Sequence, residues 1–147
     1  MIKKLFNKLF KKKCAEISFK QGFELTDLAI TTMYQNGKRY NFLLDTGSAD
    51  NIIDSNILSE LQHTPLDEKS AIYGIDGIEK EVGACNITFT YEGKDFPYLY
   101  LVNDMKAPFT ELRKSTGVIV HGIVGAKFFH AYKYVLDFSE LKAYCKC

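Results

Sequence analysis

From residue 15 onward the chain is a succession of short apolar runs rich in Ile, Val, Thr, Phe and Tyr, cut at close intervals by Gly, Asn and Asp. This patterning constrains the fold most, because β-branched and aromatic residues suit a pleated, half-buried surface and each turn signal ends a strand after a few residues. It predicts an all-β domain. Leu28 to Tyr34 and Lys38 to Leu44 flank Gln35-Asn36-Gly37, and Asn-Gly accepts the positive φ angles of a tight hairpin. Further strands are expected at Ser70 to Tyr73, Ile78 to Gly83, Asn86 to Tyr91, Asp95 to Val102, Val118 to Val124 and Tyr134 to Phe138. Turns fall at Gly74-Ile75-Asp76-Gly77 and Glu92-Gly93-Lys94. Two short helices are expected, at Asn56 to Gln62, behind the cap candidates Asp54 and Ser55, and at Ala126 to Tyr132.

The first 13 residues follow another rule. Ile2, Leu5, Phe6, Leu9 and Phe10 recur at helical spacing, with Lys4, Lys8 and Lys11 on the opposite side. The chain therefore divides into a basic amphipathic tail or helix, 1–13, and one domain, 14–147. Such a tail can lie on an anionic membrane surface or dock on a partner, and it can equally be a solvated tail, since so short a helix is marginal in water.

A length of 147 residues suits one domain, and 46% hydrophobic with 25% charged residues excludes disordered and low-complexity classes. The formal net charge of +1 hides an asymmetry: six lysines and no acid in residues 1–13 leave 13 basic against 18 acidic residues in the remainder. A body of about −5 is no footprint for nucleic acid, and none is expected as a partner. The longest stretch without Lys, Arg, Asp or Glu, Ser115 to Ala126, has 12 residues, short of the ~20 that cross a bilayer. The apolar positions of the tail are broken by Asn7 and Lys8, which does not fit a secretory signal. Cys14, Cys85, Cys145 and Cys147 form no C-x-x-C pair, so no metal site is expected and the cysteines are read as free thiols in a reducing cytoplasm. Localisation is expected to be cytoplasmic, with peripheral contact at the inner membrane surface through residues 1–13 as an open option.

The stretch most informative about chemistry runs from Asn41 to Ile53. An apolar strand ends, Asp45 stands at its tip, Gly47 permits a sharp turn, and a second apolar strand begins. Turn amides and the hydroxyls of Thr46 and Ser48 are placed to hydrogen-bond the carboxylate, which can then stay ionised among apolar neighbours. Asp and Gly are also ordinary turn formers, and the tripeptide alone fits a plain turn as well.

Leu43-Leu44-Asp45-Thr46-Gly47-Ser48 resembles the active-site loop of the retropepsin-like aspartic proteases, apolar-apolar-Asp-Thr/Ser-Gly-Ala/Ser. Two more segments follow in that family's order. Ile72-Tyr73-Gly74-Ile75-Asp76-Gly77 resembles its glycine-rich flap, and Ile123-Val124-Gly125 resembles the apolar-apolar-Gly segment that packs beside the catalytic loop ahead of a short helix and a strand. The resemblance covers roughly residues 24 to 144. It implies a closed β barrel with a flap hairpin and one or two short helices, Asp45 as the catalytic carboxylate, and Thr46, Gly47 and Ser48 as support for its loop. It further implies substrate contacts from Tyr73, Gly74, Ile75, Asp76 and Gly77, with Tyr73 shaping a side-chain pocket, and neither metal nor organic cofactor. The chain departs from the family at Lys127, where Asp or Asn is common, and at Asn103 to Gly117, which with Pro108 reads as an inserted surface loop.

Peptide hydrolysis by this route takes two carboxylates that share a proton, one to activate water and one to polarise the carbonyl. Among the other aspartates only Asp137, in Val135-Leu136-Asp137-Phe138, approaches the Asp45 context, and the Ser139-Glu140 that follow suit a strand-ending turn better. The chain thus holds half a site, and a two-fold homodimer acting on a peptide or protein substrate is expected. His63, His121 and His130 have no metal-ligand spacing and are read as packed or surface residues. Two other readings stand beside the protease: a non-catalytic dimerisation or peptide-binding module of the same fold, and a membrane-surface adaptor working through residues 1–13.

Overall fold

A computed structural model describes residues 15–74 and 76–145; the amphipathic segment 1–13 and Ile75 lie outside the described residues. Ten strands are present: β1 (Ile17–Ser18), β2 (Ile30–Gln35), β3 (Lys38–Leu44), β4 (Asn51–Asp54), β5 (Thr64–Tyr73), β6 (Glu79–Tyr91), β7 (Lys94–Asn103), β8 (Gly122–Val124), β9 (Tyr134–Asp137) and β10 (Lys142–Cys145). Between them lie α1 (Lys20–Thr26), a 3-10 helix (Ser55–Glu60), α2 (Lys106–Thr116) and α3 (Ala126–Ala131). The fold is mostly β, with a closed six-stranded barrel.

The barrel order is β2-β3-β8-β4-β7-β6, and the Tyr34–Thr90 pair between β2 and β6 closes it. β5 pairs with β6 outside the ring, and β1, β10 and β9 form a separate three-stranded sheet. The β2–β3 turn has Asn36 at φ 50° and Gly37 at φ 76°, the left-handed pair that the Asn-Gly dipeptide predicts.

Strand alternation sorts the apolar residues onto two faces. Tyr40, Phe42 and Leu44 of β3 point inward with Ile53, Ile87, Phe89, Phe96, Tyr100 and Val124, forming the barrel core. Aromatic rings dominate it: Phe42 and Phe89 meet edge-on at 4.8 Å, and Phe89 and Tyr100 at 5.7 Å. Such contacts add about 0.5–1.5 kcal/mol per pair beyond the area they bury.

Several expectations need correction. The described residues form three α-helices and a 3-10 helix rather than one or two short helices. Residues 103–117 are not a loop: α2 forms because Pro108 falls in its first turn, where a missing N–H costs nothing, while Phe109 and Leu112 share one buried side. Helix α1 escapes sequence reading because Gly22 sits at its centre and weakens the helical signal. The runs at 78–83 and 86–91 are one strand, β6. The expected strand from Val118 shrinks to Gly122–Val124, because only there does the chain enter between β3 and β4. Cys145 is disulfide-bonded, contrary to the expected free thiol; Cys85 is a free, buried thiol that burial pushes up to about 11.

Candidate functional site

Asp45 is the first residue after β3, and its loop is shaped by a strand nearly 80 residues away. β8 inserts between β3, to which it is parallel, and β4, to which it is antiparallel. The chain leaving β3 for β4 must therefore straddle the end of β8. Four hydrogen bonds fix it there: Asp45 N–H to Val124 O (2.9 Å), Ala126 N–H to Ser48 O (2.8 Å), Lys127 N–H to Ala49 O (3.0 Å) and Gly125 N–H to Asn51 Oδ1 (2.8 Å). A side chain at Gly125 does not fit, since its Cβ would lie 2.5 Å from Asp50 O and 2.6 Å from Ser48 O. The resemblance assigned Ile123, Val124 and Gly125 a place beside this loop, and that is where they lie.

Within the loop, Gly47 N–H donates to Asp45 Oδ1 at 2.9 Å and Ser48 N–H donates to Asp45 O at 3.1 Å. Ser48 does not serve the carboxylate as expected: its hydroxyl donates to Asp50 O at 2.8 Å, because the turn aims it along the loop. The Thr46 hydroxyl has no partner among the described residues, and Thr46 and Gly47 are exposed at the tip. Asp45 itself is half-buried, and among the described residues its Oδ2 accepts no hydrogen bond. The loop thus holds one carboxylate oxygen and presents the other.

Two residues to which the sequence reading gave no part in holding the loop, Asn51 and Lys127, secure this arrangement. Asn51 is fully buried at the start of β4 and spends its Oδ1 on Gly125 N–H. An Asn opening an apolar Ile-Ile run was the available signal. Lys127 Nζ pairs with Asp50 Oδ1 at 2.9 Å, which holds the ammonium above its ordinary range. The position where the chain departs from the family pattern therefore carries its own tie to the loop.

The hairpin of β5 and β6 forms as expected, and its tip is held by Gly77 N–H to Gly74 O (2.9 Å), Gly74 N–H to Ile78 O (3.2 Å) and Ile78 N–H to Asp76 Oδ1 (3.0 Å). Tyr73 and Ile78 are two-thirds exposed. Lower down, Ile72 and Val82 join an apolar cluster that also contains Leu43, Ile52 and Ile123, which ties the hairpin base to the outer face of the strands carrying Asp45.

His121 is packed: its Nδ1 accepts Asn41 N–H at 2.9 Å, its ring meets Tyr40 edge-on at 5.3 Å, and burial holds it below the usual imidazole range. His63 Nδ1 lies 2.8 Å from Leu61 O, and His130 is exposed in the last turn of α3. Among the described residues no three His, Cys, Asp or Glu side chains stand together as a metal site. A polar cavity of about 390 Å³, lined by Gln35, Gln62, His63, Thr64, Asn86 and Thr88, includes none of the predicted site residues. No described helix is long and apolar enough to cross a membrane.

No known family model matches the chain, and no curated protein matches its sequence.

Proposed function

We propose that this chain is an aspartic endopeptidase of the retropepsin-like type, built as a homodimer with one Asp45 from each subunit. The observation that carries the reading is the Asp45 loop: a half-buried carboxylate with one oxygen tied to Gly47 N–H and the other unpartnered, on a loop stitched to a strand threaded between its two flanking strands. The exposed tip at Thr46 and Gly47 leaves room for a symmetry mate to approach. An isologous contact there brings two identical carboxylates together.

In this reading the pair shares one proton. The ionised member takes a proton from water as the water oxygen attacks the scissile carbonyl, and the protonated member donates to the carbonyl oxygen. Collapse of the tetrahedral intermediate, with proton transfer to the amine, releases the two peptides. The hairpin tip, residues 73–77, covers an extended substrate, and strand-like hydrogen bonds hold the peptide in register.

The test is cleavage of a peptide library by the parent and by Asp45→Asn, with subunits counted by sedimentation over a dilution series. The expected loss in kcat/KM is about 10³-fold or more, since an amide cannot exchange the proton. Parental activity per subunit is expected to fall as the dimer dissociates. Binding without cleavage by both proteins would favour a non-catalytic peptide-binding module instead, and activity constant through complete dissociation would overturn the shared-dyad mechanism.

A further inference from the structure

The edge of β6 that faces away from β7 has a gap in its pairing. β5 pairs with it as far as Thr64–Asn86, and β2 meets it again only at Tyr34–Thr90. The gap runs from Asn86 to Thr90, about 13 Å at ~3.3 Å per residue, with Thr88 at its centre. Turn geometry fixes which way Thr88 faces. Glu92 at φ 47° and Gly93 at φ 78° form a two-residue turn, so Tyr91 and Lys94 exchange both of their hydrogen bonds, and every second residue of β6 before Tyr91 bonds to β7 in the same way. Thr88 belongs to the other set. Its neighbour across the ladder is Pro97, which has no N–H to give, and Pro97 O accepts the Tyr132 hydroxyl at 2.7 Å. The Thr88 N–H and C=O therefore point into the gap.

The protein fills part of that gap with a side chain. Gln35 is buried; its Nε2 donates to Gln62 O at 2.9 Å and to Thr88 O at 3.4 Å, while its Oε1 accepts Gln62 N–H at 2.9 Å. A carboxamide thus sits between two main chains as the amide of a pairing strand would, bonded closely to residue 62 and loosely to residue 88. Among the described residues the Thr88 N–H has no acceptor, a vacancy that main-chain donors seldom keep. The polar cavity of about 390 Å³ opens at this point, lined also by Thr64, Asn86 and Thr88, and no described Lys, Arg, Asp or Glu lines it. Asn86 and Thr88 lie exposed on the same face of β6.

We infer that this notch binds a short peptide segment of uncharged polar residues, extended along β6 with its main chain paired to Thr88. Main-chain pairing supplies the grip, and the Asn86 and Thr88 side chains take polar partners. A charged segment would give up solvation there with no opposite charge to receive it. Gln35 pairs with Lys38 at the start of β3, whereas Asp45 follows its last residue, Leu44, so the notch lies at the opposite end of that strand from the Asp45 loop. It therefore stands apart from the protease reading.

The test titrates the isotope-labelled full chain with an acetylated, amidated tripeptide of serine and asparagine, followed by NMR at each amide. Saturable shifts are expected at the Thr88 N–H and the Gln35 carboxamide, and methylation of the peptide's backbone nitrogens is expected to weaken binding about tenfold or more. Thr88→Pro, which removes the N–H without breaking a bond to β7, should abolish the response; Thr88→Val, which keeps the N–H, should preserve it. The methylated peptide keeps the test decisive where Thr88→Pro fails to fold. Shifts confined to the Asp45 loop, no saturable shift at Thr88, a methylated peptide that binds as tightly as the unmethylated one, or an equal response to trehalose would each overturn the assignment.

Discussion

Asp45 and Asp137 both stand at the end of a strand, and their loops are built in opposite ways. Asp137 closes β9 with its own neighbours: its Oδ1 accepts Ser139 N–H (2.9 Å), Ser139 Oγ–H (2.6 Å) and Glu140 N–H (3.1 Å), which holds the carboxyl below its usual range. Every partner lies within three residues. Asp45 accepts one such bond, from Gly47 N–H, and its loop takes its shape from Val124, Gly125, Ala126 and Lys127. Both carboxylates accept through Oδ1 and from their own turn, so the difference lies in the backbone: the Asp137 turn is held by its own neighbours, whereas the Asp45 loop is positioned by a distant strand.

The comparison breaks most readily at Gly125. Gly125→Ala is expected to cost about 3 kcal/mol or more by denaturant titration, because the new methyl meets two loop carbonyls at contact-forbidden distance, and activity is expected to fall with it. Retention of parental stability would show that the loop is not held against β8. Asn51→Ala comes next, at about 1–3 kcal/mol, since it leaves Gly125 N–H buried without its acceptor; unchanged stability there would remove Asn51 from the scaffold of the site.

Protonation of His121 sharpens the same contrast at the other end of β8. The ring is neutral in the fold and accepts Asn41 N–H, while His121 N–H donates to Asn41 O and His121 O accepts Asp54 N–H. Burial lowers its folded value below the ordinary 6.5, against the pull of the Glu60 and Asp54 charges. The stability it contributes is therefore complete above about 6.5 and is lost as pH falls through the lower folded value. Chemical denaturation at a series of pH values should show this fall, and His121→Gln should flatten it; an equal slope in both proteins would assign the effect elsewhere.

The smallest effect is expected at Lys127. Its ammonium is well exposed, so Lys127→Ala should cost no more than about 0.5 kcal/mol, with the larger readout in salt dependence. Asp137→Asn, by contrast, should loosen its own turn and leave cleavage at the parental rate, measured in the same library assay as Asp45→Asn. Loss of cleavage in Asp137→Asn would mean that the two loops are not distinct in function.

Much of this was legible in the sequence because it is local. Asn36-Gly37 fixes a turn by the φ angles it accepts, the alternation of Tyr40, Phe42 and Leu44 fixes which face of β3 is buried, and Asp54 reaches its cap partner two residues on. Asp45-Thr46-Gly47 was readable as a turn with a carboxylate at its tip. Helix α2 was not, because a Pro in the segment outweighs the Phe109–Leu112 spacing until the cluster that buries those residues is known. Ser48 was assigned to the wrong acceptor, since turn geometry decides where a short hydroxyl points.

The amino-acid sequence by itself determined most of the strands, the hairpin turns and the aspartate at a strand tip, because propensity, period and turn chemistry act over a few residues. The tertiary structure alone decided that β8 passes between β3 and β4 and that Gly125 lies against Ser48 and Asp50. Those contacts join residues tens of positions apart, and their loop-closure cost is met by burial of the whole barrel rather than by any segment's own preference.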